Sequence, residues 1–572
     1  MKNSVLYSII ILLGVSVIGL LSYIFIPHLL LMNHNDMDMM EMWTEQSDSP
    51  FIGYSKAMND HCKIMPEMSG CEPYNILVSQ KSNNVESTSE VNISELMQAK
   101  KVEIVELRDG DTYDMEVTQV RKEIWNDSVM MLAYNGSIPG PILKAPEGTK
   151  VTINFVNKVP DLETTLHSHG LRWDYTMDWV PKEMMGTQDP VAFWESFQYE
   201  LEFPDTGIFW YHPHIREDIQ QELGLSGNFI VTPKDANYWN PVNREETLIL
   251  DDVLIEDGKI AEFSQDFANY ILMGRFGNTM LVNGETDYSL NIKKGEVVRL
   301  NLTNVSNTRI YNFEIPGAKI KRVWGDIWKY ERDSFVESIV IAPAERYSLE
   351  VYFPESGEFE IQNNTPVSNY TLWKIVVSDG QVENSYLDTF NILRENTEII
   401  ADIDAYRSYF DTAPDKEIEL DMDMNMNMWN MMMEGESHGG IEWEDEMGMM
   451  NKMHNSNQVD WKITDKITGK ENMNINWNFN QWDVVKVRIH NKKDGTHPMQ
   501  HPIHFHGQRF LVLNENGKQM DNLVWKDTAL VKTWEYIDIL IDMSNPGEWM
   551  VHCHIAEHLS AGMMMHFSVK EN

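Results

Sequence analysis

The twelve residues from His552 to Met563, His-Cys-His-Ile-Ala-Glu-His-Leu-Ser-Ala-Gly-Met, hold one thiol, three imidazoles and a thioether. A soft thiolate mixed with imidazole and thioether suits copper that cycles between its two oxidation states. Cys553, His558 and Met563 follow the spacing Cys-x4-His-x4-Met, which one loop can wrap around one ion. On a strand, His552 and His554 would point to the face opposite Cys553. That alternation predicts a second metal site joined to the first through the backbone. A lone buried cysteine is usually just a small hydrophobe, but it rarely has such neighbours.

Such a loop needs a scaffold, and internal repeats describe one. Gly207-Ile-Phe-Trp-Tyr-His212-Pro-His214, Gly357-Glu-Phe-Glu-Ile-Gln362-Asn-Asn364 and Gly547-Glu-Trp-Met-Val-His552-Cys-His554 share a pattern. Each has a glycine, an aromatic residue two positions on, and a hydrogen-bonding pair at five and seven. Upstream lies a second shared stretch, Gly148 to Asn157, Gly295 to Asn304 and Trp482 to Asn491. Its alternation of β-branched and polar residues marks a half-buried strand ending in a turn. The chain therefore reads as all-β, three consecutive Greek-key β-sandwich copies, about 150 and then about 190 residues apart. Expected boundaries are 101–240, 241–390 and 391–572, with a methionine-rich insertion at 422–453 in the last copy.

The first copy carries His167-Ser-His169 and His212-Pro-His214, and the third carries His501-Pro-Ile-His504-Phe-His506 and His552-Cys-His554. The middle copy has Gln362 and Asn364 in the equivalent places, and no histidine lies between His214 and His438. Metals must then be held by the outer copies, meeting at a shared interface.

With four histidine motifs in this order, the sequence resembles the three-domain multicopper oxidases, a family of laccases, bacterial cuprous oxidases and ferroxidases, over roughly residues 101–570. Asn135-Gly-Ser-Ile-Pro-Gly-Pro141, Thr187-Gln188-Asp-Pro190 and Lys526-Asp527-Thr528 add to the resemblance. It implies cupredoxin-like sandwiches and four coppers. A type 1 copper would lie at His501, Cys553, His558 and Met563, and a type 2 copper at His167 and His504. A type 3 pair would lie at His169, His212, His214, His506, His552 and His554. It also implies four one-electron oxidations of a reductant, coupled through Cys553 and its two histidine neighbours to reduction of O2 to water. Asp178 stands at the family's acidic position and is the expected proton relay, the alternative being a turn-forming Asp. Leu559 replaces the acidic residue that some bacterial relatives carry after His558, and Glu557 beside it is expected to point elsewhere.

Between Met422 and Met453 lie eleven methionines, interleaved at first with Asp and Asn. Thioethers favour Cu(I), and bacterial cuprous oxidases carry a similar insertion in the same domain. Met424, Met426, Met428, Met431, Met432 and Met433 are thus a candidate Cu(I) substrate site, against the plainer reading of a low-complexity surface loop. Oxidation of Cu(I) or another low-valent metal ion leads. A laccase-type oxidase of phenols or other small organic reductants and a non-catalytic copper-binding protein are the alternatives. Nitrite reduction fits a complete set of type 3 histidines less well than O2 reduction does.

The formal net charge of -42 excludes nucleic acid as a partner. An apolar run at residues 5–31 is long enough to cross a bilayer. It reads as an uncleaved membrane anchor in preference to a signal peptide, placing the body outside the cytoplasm. Residues 32–100 read as a polar, methionine-containing stalk. Cys62 and Cys71 could close a small disulfide loop or bind copper.

Overall fold

The computed structural model describes residues 91–424, 439–493 and 499–572, apart from Trp173, Trp179, Met185, Gln265 and Gln381. The apolar segment, most of the stalk, Cys62, Cys71, Met426, Met428 and Met431 to Met433 lie outside the described residues.

The strands predicted from alternation are present, and their pairing repeats. Lys150–Asn157, Val297–Asn304 and Val484–Asn491 each run parallel to the strand before them in their sheet. Those preceding strands are Thr112–Ile124, Arg244–Val253 and Lys416–Met424. Each also runs antiparallel to a later strand, Ser196–Glu202, Arg346–Tyr352 or Tyr536–Asp542. The glycine-led repeats form Gly207–His212, Gly357–Asn364 and Gly547–Cys553, each antiparallel to both neighbours in a five-stranded sheet.

The sheets pack as three pairs, each enclosing its own core. Val117, Phe155, Phe209 and Phe229 meet in the first, Leu300, Phe313, Leu349 and Ile375 in the middle, and Ile418, Val487, Val551 and Phe567 in the last. Lys150–Asn157 buries every second residue, as a strand with one wet face should. Val297–Asn304 is buried at every position, because its polar face is covered too: Asn228 of the first pair donates to Thr303 at 2.8 Å.

Lys416–Met424 extends three residues into the expected insertion. Its sequence, Lys-Glu-Ile-Glu-Leu-Asp-Met-Asp-Met, alternates with period two, and Met422 is buried in the last core with Met424 packed partly buried against it. The insertion therefore begins on a core strand. Its far end, the helix Gly448–Met453, is tied to the body by Asn451, whose Oδ1 accepts from Leu272 N and Met273 N.

Candidate metal centres

Cys553 closes its strand opposite Ile503, and His501 opens the neighbouring strand His501–Phe505. The short helix Ala556–Ser560 returns His558 to the same point. Cys553 Sγ lies 3.6 Å from His501 Nδ1 and 3.8 Å from His558 Nδ1, and the two ring nitrogens are 3.3 Å apart. Met563 is fully buried in the same core; its amide donates to His558 O and its carbonyl accepts from Cys553 N. The Trp461 ring stacks on His558 with centroids 4.0 Å apart. Burial pushes the Cys553 thiol up, so a bound cation must displace its proton.

On the opposite face of the same strand, His552 pairs with His504, and in the first sheet pair His167 pairs with His212. All eight expected histidines, His167, His169, His212, His214, His504, His506, His552 and His554, converge and are buried. His169 Nε2 is 3.0 Å from His212 Nε2 and 3.1 Å from His554 Nε2; His552 Nε2 is 3.0 Å from His506 Nε2. His167 Nε2, His504 Nε2 and His214 Nε2 are buried with no hydrogen-bond partner.

Five of the eight outward nitrogens are hydrogen-bonded. The Nδ1–H groups of His167, His504, His212 and His552 donate to the carbonyls of Asp178, Asp527, Pro213 and Cys553, and His506 Nδ1–H donates to Asp178 Oδ2 at 2.7 Å. This fixes the tautomer that turns Nε2 inward. Burial, helped by neighbouring imidazoles, holds His169, His212, His506, His552 and His554 well below the ordinary imidazole value. Buried imidazoles whose Nε2 atoms are packed nitrogen to nitrogen fit copper ions, and the thiol-containing group fits a single redox copper.

Three carboxylates surround the cluster. Burial pushes the Asp178 carboxyl up, but His506 and His167 outweigh it and hold it well below the usual carboxylate range. Asp527 behaves alike because of Arg346, a bidentate partner at 2.7 and 2.6 Å contributed by the middle sheet pair. Glu217 Oε1 lies 3.0 Å from His214 Nδ1. Sequence reasoning singled out Asp178; Asp527 was visible only as part of Lys-Asp-Thr, and Glu217 only as an acid three residues past a histidine pair. Glu557 faces the middle pair, accepting from Asn307 Nδ2 and Thr308 Oγ1, each at 3.2 Å.

At the far end of the methionine-rich segment, Met447 and Met450 pack against the core that holds Cys553, while Met449 and Met453 are 81% and 70% exposed.

Three family models described as multicopper oxidase match residues 116–236, 245–380 and 411–572. The multicopper oxidase mco of Staphylococcus aureus is 27% identical over 76% of this chain and 82% of its own length. Laccase-1 of Fomitopsis schrenkii is 25% identical over 79% of this chain and 85% of its own. A solved structure described as a metallo-oxidase, the multicopper oxidase from Campylobacter jejuni, has a TM-score of 0.62 at 24% identity, covering 85% of this chain and 99% of that one. With its cupredoxin-like β architecture, its family of four-copper enzymes that reduce O2, and histidine clusters that fit such ions, this chain belongs to the multicopper oxidases.

Proposed function

We propose that this oxidase takes its electrons from a low-valent metal ion, Cu(I) first. In this reading His501, Cys553, His558 and Met563 hold the type 1 copper, and His167 and His504 the type 2 copper. His169, His212, His214, His506, His552 and His554 hold the type 3 pair. Copper held by these residues would supply the one-electron redox chemistry that couples oxidation of the reductant to reduction of O2.

The chain's own residues set the conditions. Trp461 and the surrounding core keep water from Cys553. The backbone from Cys553 to His552 and His554 is the covalent path between the two groups. Asp178, anchored on His506, is the residue assigned to hand protons toward the cluster. The feature that carries the substrate assignment is the methionine-rich segment 422–453, in which Met449 and Met453 are exposed and Met447, Met450 and Met424 pack on the core that contains Cys553. Thioethers are soft ligands that select Cu(I), whereas to a phenol they offer only weak sulfur–aromatic contacts.

The test is O2 uptake with Cu(I), Fe(II), Mn(II) and a phenol, for the wild type and a variant with Met426, Met428, Met431, Met432 and Met433 changed to Ser. Met422 and Met424 stay because they belong to a core strand. Losing several soft ligands should lower kcat/KM for Cu(I) about tenfold or more and leave the phenol unchanged. Unchanged Cu(I) oxidation with faster phenol oxidation would favour the laccase reading.

The apolar segment at 5–31 supports a membrane anchor with the body outside the cytoplasm; among the described residues no helix is long and apolar enough to cross a membrane. The three sheet pairs support division into units at 101–240, 241–390 and 391–572. Protease accessibility in intact cells against lysed cells tests the placement.

A further inference from the structure

The strand Gly547–Cys553 has two faces with different contents. Trp549, Val551 and Cys553 fill the last core. By period two, Glu548, Met550 and His552 share the other face. On the adjacent strand Met564–Lys570, His566 lies opposite Met550 and Met564 opposite His552. The row therefore runs from a half-exposed carboxylate at Glu548, through thioethers and an imidazole, to His552 of the buried cluster.

The segment from Val180 to Gly186 covers this face, packing Val180 and Met184 against Met550, Leu559 and Met564. It folds back tightly: a Cβ on Gly186 would lie 1.9 Å from Val180 O, so only glycine fits. Beneath it is a small cavity of about 10 Å³, lined by Met184, Met550, His566 and Glu548, with room for about one water-sized sphere. His566 Nδ1 is buried without a hydrogen-bond partner, while Nε2 lies 3.4 Å from Glu548 Oε2 at the surface. Two thioethers and one imidazole around a one-atom space are a soft donor set of the kind that selects Cu(I). An apolar lining alone would need neither the histidine nor the acid.

We propose that Met184, Met550 and His566 form a Cu(I) site at the outer end of this row, through which copper enters to fill the histidine cluster. Glu548 attracts the cation at the surface. The ion then moves inward by exchange of one soft ligand for the next, past Met564 to His552, with no change of oxidation state.

The probe is Ag(I), a d10 stand-in for Cu(I) that is not oxidised, added to the fully copper-loaded chain carrying 13C-methyl methionine. Met184 and Met550 methyl signals, identified by their loss in M184L and M550L, should shift on titration, and H566Q should weaken that binding about tenfold or more. In parallel, stripped wild type and M184L/M550L/H566Q are reloaded with Cu(I) without O2. The variant should reach the same final copper content about tenfold more slowly. Methyl signals unmoved by Ag(I) would overturn the site, and equally fast reloading would overturn its role in entry. Leu for Met conserves volume; if the triple variant fails to fold, M550L alone carries both measurements.

Discussion

Arg346 and Asp527 show how much one residue pair can carry. Both are fully buried and joined by two parallel hydrogen bonds, and Asp527 in turn receives His504 Nδ1–H at its carbonyl and sits 3.9 Å from His169 Nδ1. Arg346→Leu should destabilise the protein by about 3–5 kcal/mol, because it strands a buried carboxylate. The same variant should retain less copper in the histidine cluster, with little loss at the Cys553 group; metal analysis with electron paramagnetic resonance of the type 2 signal checks both. Glu222 makes a pH prediction. Burial pushes its carboxyl up to about 7 even though Arg275 opposes the rise. The folded pKa lies above the unfolded one, so this contribution to stability is full below the unfolded value and is lost as pH rises through 7. From pH 6.5 to 8.5 the loss is about 1 kcal/mol. Thermal denaturation of Glu222→Gln over that range should show a shallower decline than the wild type.

Among the elements, the turn after His167–Ser168 is tightly constrained. Gly170 has φ +77, and a Cβ there would lie 2.6 Å from the Phe209 ring and 2.9 Å from Arg346 Nη2. Gly170→Ala should cost about 1–3 kcal/mol from backbone conformation alone, more with the clash, and its melting temperature should fall accordingly. The strands around this turn were legible in the sequence because each repeats a local pattern that needs no knowledge of the rest of the chain. The histidine motifs were legible for the same reason, since two ligands per strand leave a mark at i and i+2. Met422 and Met424 were misread as insertion because the Met-Asp-Asn composition masked the alternation Ile418, Leu420, Met422, Met424. Arg346 with Asp527, and Glu557 with Asn307, could not be read, because the partners lie 181 and 250 positions apart.

For the whole molecule, the cluster joins the first and last sheet pairs, with histidines from His167 to His214 on one side and His504 to His554 on the other. Copper should bind this folded arrangement more tightly than the unfolded chain, so removing it should lower the melting temperature. Hydrogen exchange after chelation should rise at residues 167–170, 212–214, 501–506 and 552–558 together, while the middle core from Leu300 to Ile375 stays protected. A rise confined to one side would show that the two halves are held by packing alone. The middle pair holds no histidine, yet it sends Arg346 into the gap between the others and covers Glu557 with Asn307 and Thr308. Its effect should appear in time more than in affinity: as a clamp on Asp527, whose carbonyl holds the His504 ring, the histidine-free unit should set how long a metal, once seated, stays.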